Sequence, residues 1–223
     1  MKGIISLIAV VVLLESCRKQ NEPPPVPTAE ARYRVVATLA WSRPQFSLPA
    51  TNAHFTAFIG AVHHIDTFLW KPGGLATQGV EFVAEVGSGG RLNAEIDGII
   101  AKGKALKRFA IPAPAVNGVF DTIFNFTLQH AAISFVSMIA PSPDWFVGLS
   151  SYSLIQNNQW VDDITVPLYL FDAGTEEGDI FGYDNPTTNP QQPIKPLSAS
   201  MATVLANGNA SLPAIGSIRF IKL

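Results

Sequence analysis

From Tyr33 onward the chain reads as short apolar runs separated by glycine, proline and asparagine. Tyr33 to Trp41 alternates in part and is rich in β-formers, which predicts a first strand. His54 to His63 predicts a second, followed by the apolar Phe68-Leu69-Trp70 and a turn at Lys71-Pro72-Gly73-Gly74. Val119 to Leu128 alternates over part of its length, and Ala132 to Ile139 is apolar enough to be a buried central strand. Trp160 to Leu170 and Ile215 to Leu223 predict two more strands, with a loop around Asn157-Asn158 before the first of them. Within Arg91 to Phe109, Leu92, Ile96, Ile99, Ile100 and Leu106 mark one face. We read there a helix interrupted by Gly98 and Gly103, lying across the sheets and ended by Pro112 and Pro114. Gly79 to Val86 fits helix or strand equally well. The sum is a mainly β, sandwich-type domain with one or two short helices packed on it.

Length and charge narrow the function classes. A chain of 223 residues suits one domain with accessory segments, and a net charge of −2 from scattered charges of both signs gives no footprint for nucleic acid. Met1-Lys2, the apolar run from Ile4 to Leu14 and the closing Leu14-Glu15-Ser16-Cys17 have the layout of a signal peptide over residues 1–16. Leu-x-Ser-Cys resembles the lipobox of bacterial lipoproteins, with Glu15 departing from the small or apolar residue usual there. Cys17, the single cysteine, is therefore expected to carry a lipid, and its solitude excludes an intramolecular disulfide and a thiolate metal cluster. Residues 17–30, with Pro23-Pro24-Pro25-Val26-Pro27, read as an extended tether to a membrane, and residues 31–223 as the domain. The expected place is the cell envelope, lipid-anchored at the outer membrane or cell surface, and otherwise the protein is expected to be secreted.

Two acidic turns carry the candidate chemistry. Pro141-Ser142-Pro143-Asp144-Trp145 ends the buried run, and its prolines fix the direction in which Asp144 is aimed. Asp172-Ala173-Gly174-Thr175-Glu176-Glu177-Gly178-Asp179 follows another apolar run, and Gly174 lets Asp172 and Glu176 curl toward one point. A hard cation such as Ca²⁺ takes carboxylate, carbonyl and water oxygens from such loops. The same residues also suit a solvated turn held by local hydrogen bonds, and on the residues alone both readings stand.

Other chemistries find less support. His63 and His64 point to opposite faces of a strand, and no His-x-x-x-His spacing occurs, so a zinc site is not expected; His54 and His63 read as hydrogen-bonded residues in or beside the core. Within residues 31–223 neither Gly-x-Ser-x-Gly nor Ser-x-x-Lys is present. Gly87-Ser88-Gly89-Gly90 reads as a turn ahead of the helix. Trp41, Trp70, Trp145 and Trp160 read mainly as core, with Trp145 nearest the acidic turns.

Several motifs fall in one order: Trp41-Ser42-x-x-x-Phe46, His54-Phe55-Thr56-x-x-Ile59-Gly60, Leu69-Trp70-x-x-Gly73, Gly79-Val80, Ala84-Glu85-x-Gly87, Pro141-Ser142-Pro143-Asp144-Trp145, Asp172-Ala173-Gly174-Thr175 and Asn185-Pro186. In that order they resemble the spondin domain family, from about residue 31 to the C-terminus. The resemblance implies a C2-like antiparallel β-sandwich with Ca²⁺ at one end, bound by Asp144, Asp172 and Glu176. Glu176 departs from the family's aspartate, and its extra methylene moves the carboxylate outward. Animal members of the family act in extracellular matrix and adhesion. The function expected here is a Ca²⁺-binding, non-enzymatic cell-surface module for adhesion or recognition of a glycan or protein. The alternatives are an envelope hydrolase using the acidic site and a structural envelope lipoprotein.

Overall fold

A computed structural model describes residues 26–197, 204–206 and 212–223. The signal-peptide segment, Cys17 and most of the tether lie outside the described residues.

In chain order the strands are β1 (Glu30–Ala40), β2 (His54–Phe55), β3 (Phe58–His63), β4 (Ala105–Ile111), β5 (Asn117–Thr127), β6 (Ala132–Ala140), β7 (Trp145–Ser153), β8 (Ile155–Gln156), β9 (Gln159–Trp160), β10 (Asp163–Asp172), β11 (Lys195–Pro196) and β12 (Gly216–Lys222). One ten-stranded antiparallel sheet runs in the order β4, β3, β6, β7, β10, β12, β1, β5, with β2 added to β6 and β11 to β10. It curls into a sandwich, nearly a closed barrel, so that the rings of Phe109 of β4 and Phe124 of β5, at opposite ends of the strand order, meet at a tilt with centroids 4.8 Å apart. Asn157 and Asn158, both at positive φ, make the tight β8–β9 turn.

The inward face is built by the period of two. Tyr33, Val35, Ala37 and Leu39 of β1 meet Phe135 of β6, Trp145 and Val147 of β7, Leu168 of β10 and Phe220 of β12 in one core. β6 is buried throughout because its other face is covered as well. Two helices, α1 (Gln78–Val86) and α2 (Gly90–Ala101), lie on the outside of that region and place Val80, Val83, Leu92 and Ile96 against Ile59, Val136 and Phe146. A strand covered on both sides needs apolar residues at every position, which is why Ala132 to Ala140 shows no alternation.

The segment that fitted helix or strand is therefore helix α1, and its start is fixed by a neighbour. Thr77 caps it, and Glu95 of α2 accepts the backbone N–H of Gly79 at 2.7 Å and the Thr77 hydroxyl at 2.6 Å. Gly87, at φ 69°, closes α1 and starts the short link to α2. The helix read from Arg91 to Phe109 is corrected by the structure. It stops at Ala101, Gly103 turns the chain at φ 67°, and Ala105–Ile111 is the edge strand β4. Phe68-Leu69-Trp70 is not a strand. Trp70 is buried between the sheet and the helices, where its indole N–H donates to the carbonyl of Phe135 at 3.1 Å.

Candidate metal centre

β7 and β10 pair in antiparallel register with Asp172 opposite Trp145, so the turn before β7 and the turn after β10 meet at one end of the sandwich. The Ser142 hydroxyl accepts the Trp145 N–H at 3.2 Å and tightens the first turn. Ala173 N–H donates to the Asp144 carbonyl at 3.1 Å and joins the two. The two acidic turns are one structure.

Asp144 is fully buried. Its Oδ2 accepts the Thr175 N–H at 2.7 Å, the Glu176 N–H at 3.1 Å and the Thr175 hydroxyl at 3.3 Å. Among the described residues its Oδ1 has no hydrogen-bond partner. A bare carboxylate oxygen in a buried position is costly unless something positive or protic meets it. Burial pushes Asp144 up to about 6, the Asp172 charge adds to the rise, and the Thr175 and Glu176 donors hold it back.

Asp172 accepts the Gly174 N–H at 2.8 Å through Oδ1, and Lys195 of β11 stands 3.6 Å from Oδ2. Burial raises Asp172 and the lysine opposes the rise. Gly174 has φ +74°, and a Cβ there would lie 2.2 Å from the Gln192 carbonyl oxygen, so the turn requires glycine. Glu176 is only half-buried. Its Oε2 accepts from Asn185 at 3.4 Å, and desolvation, then the charge of Glu85 on α1, then Asp144 and Asp184 push it up to about 7.

An open cleft of about 560 Å³ adjoins the turns, lined by Asp172, Glu176, Glu177, Asp179, Gln192 and Lys195 among others. Asp144, Asp172 and Glu176 share one neighbourhood, yet among the described residues no three His, Cys, Asp or Glu side chains gather closely enough to hold a metal by themselves. Glu85 and Lys195 belong to this electrostatic set but were not singled out as site residues in the sequence. Glu85 occurs in the Ala84-Glu85-x-Gly87 motif, the one signal that could have found it; Lys195 had none.

The histidines lie elsewhere. His63 is buried, with Nδ1 2.8 Å from the His64 carbonyl and Nε2 2.8 Å from the Ser134 hydroxyl, and His54 Nδ1 is 2.6 Å from the Asn52 carbonyl. All four tryptophans are core residues. Trp145 borders the site, and its ring meets Phe181 with centroids 6.1 Å apart.

The sequence profile of the Spondin_N family matches residues 31–208. The chain belongs to the Spondin_N family. Spondin-2 of Rattus norvegicus is 32% identical over 207 residues, covering 86% of this chain and 62% of that protein. Spondin-2 of Homo sapiens is 31% identical over 209 residues, covering 87% of this chain and 62% of that protein. Spondin-1 of Gallus gallus is 33% identical over 177 residues, covering 76% of this chain and 22% of that protein. This Spondin_N chain thus spans less than two thirds of Spondin-2 and a smaller part of Spondin-1. Both acidic turns fall inside the matched Spondin_N region. Among the described residues no helix is long and apolar enough to cross a membrane.

Proposed function

We propose that this chain is a non-enzymatic, Ca²⁺-binding surface module that recognises a glycan or protein outside the cell. The observation that carries the metal is the fully buried, unpartnered Oδ1 of Asp144 beside the negative charge of Asp172. Asp144 and Asp172 would hold the cation, and Glu176, longer and more exposed, would contribute from the outside. Backbone carbonyls and water would complete an oxygen shell of six to eight. When bound, the ion supplies the positive charge that the two turns lack. The chain's own part is to aim Asp144 through the Thr175 and Glu176 N–H groups and to hold Asp172 through Gly174.

The non-enzymatic reading is supported by the placement of the Ser–His pair. Ser134 and His63 are both sealed in the core, and the Ser134 oxygen already accepts the Ser151 N–H at 2.7 Å. A lipid on Cys17 would keep the module at the envelope. Calorimetry of the chain with Ca²⁺ should give saturable binding and a melting temperature that falls on adding chelator. No heat of binding together with unchanged melting would end the metal reading. Membrane fractionation of Cys17→Ala tests the anchor, and a glycan and protein array run with and without Ca²⁺ tests recognition.

A further inference from the structure

The curled sheet does not close. β4 and β5 end the strand order, and among the described residues no strand pairs with the outer edge of either. Each edge presents a row of backbone N–H and C=O groups without a ladder partner. The Phe109–Phe124 pair fills part of the gap, and beyond it a cleft of about 520 Å³ opens between Leu106 and Lys107 on one side and Ile123 to Thr127 on the other. Its floor includes Val62 and Phe126, both buried members of the core. Leu106 and Ile123 are exposed at its rim.

Lys107 is placed unusually. It pairs with Val62 across β3 and β4, as Phe109 pairs with Gly60 and Ile111 with Phe58. With a side-chain period of two, Lys107, Phe109 and Ile111 share the face that Val62 and Phe58 turn to the core. Lys107 is thus a cation on the inward side of the sheet, exposed because the seam is open. Among the described residues it makes no ion pair, not even with Glu30 in the lining of the same cleft, whereas its neighbour Arg108 on the other face is held by Asp97 at 2.7 Å.

We propose that this seam takes up an extended peptide segment of a partner protein as an added strand, with apolar side chains on the Val62–Phe126 floor and one carboxylate on Lys107. The backbone edges select an extended chain, because only a strand supplies their missing ladder partners. The charge of Lys107 selects an acidic residue at one inward position. Residues of both edge strands line this one cleft. The site lies apart from the acidic turns and does not depend on Ca²⁺.

The probe is a fluorescein-labelled heptapeptide that alternates threonine and valine from a threonine start, with glutamate in place of the middle valine, added to the full chain. Saturable anisotropy, with amide shifts confined to residues 105–111 and 117–127, is expected. Lys107→Glu should weaken binding by about tenfold, and exchanging the peptide's glutamate for lysine should restore it. Backbone N-methylation of the peptide should abolish it. Binding that ignores both the charge exchange and N-methylation, shifts elsewhere, or no binding would overturn the proposal. So would self-association of Lys107→Ala in sedimentation without peptide binding, which would make the lysine a guard against edge pairing.

Discussion

The carboxylate of Asp144 accepts the backbone N–H of Thr175 at 2.7 Å across a separation of 31 residues, with both groups buried. One oxygen of that carboxylate holds the second turn in place while the other is bare. The same side chain therefore joins the two turns.

Asp144→Asn keeps the shape and removes the charge. Ca²⁺ affinity should fall by about a hundredfold in calorimetry, since charge count sets affinity at oxygen sites. The pH dependence has a defined sign without metal. Asp144 rises from 3.8 to about 6 on folding, so between those values the folded chain holds the extra proton and its stability falls as pH rises. Glu176, raised from 4.5 to about 7, acts in the same direction. In chelator, the wild type should lose more melting temperature than Asp144→Asn between pH 4 and about 6. Identical pH profiles would contradict this assignment.

Gly174→Ala meets two obstacles, the positive φ and the Gln192 carbonyl. A loss of about 2–4 kcal/mol in urea unfolding is expected, with weaker Ca²⁺ binding at temperatures where the variant is still folded. A neutral result would mean that the turn and the 192 segment can part without cost.

His63 titrates in the opposite sense. The His64 carbonyl can only accept, so Nδ1 carries the proton and Nε2 accepts from the Ser134 hydroxyl. Burial, and to a lesser degree the nearby His130 and His64, hold His63 below its usual 6.5. The unfolded chain then binds the proton first, and the stability contributed by this group is lost as pH falls below 6.5. The acid loss should shrink in His63→Gln, read as melting temperature against pH, after subtracting the carboxylate effect measured with Asp144→Asn.

Glu95→Ala removes the acceptor for the Gly79 N–H and the Thr77 hydroxyl. Loss of this cap should cost about 1–2 kcal/mol and raise amide exchange in the first turn of α1. Exchange rates equal to wild type would show that tertiary packing alone fixes the helix start.

The strands were legible where one face is buried, as in β1 and β12, or where both are, as in β6. The helix boundary was not, because β4 is an edge whose exposed residues fall on both faces, and Leu106 happened to extend the apolar stripe of α2. Asp144 and Asp172 could be singled out because proline and glycine mark their turns. Lys195 could not, because it reaches Asp172 through the pairing of β11 with β10, and that pairing leaves no local pattern. The unpartnered oxygen of Asp144 is likewise a property of packing and not of sequence.

The nine residues of β6 separate the two ends of the domain by on the order of 30 Å. Thr28 and Ala29 enter at the end where β6 begins, held by the Trp160 indole and Leu128, while the Asp144 turn lies where β6 finishes. A pull between Thr28 and the Asp144 turn therefore runs along the strands. β1, which receives that load first, is hydrogen bonded on both sides, to β5 and to β12. Its ladder bonds lie across the line of force and are strained together, in shear, and none can be peeled ahead of the rest. Tension along that axis loads both ladders of β1 at once.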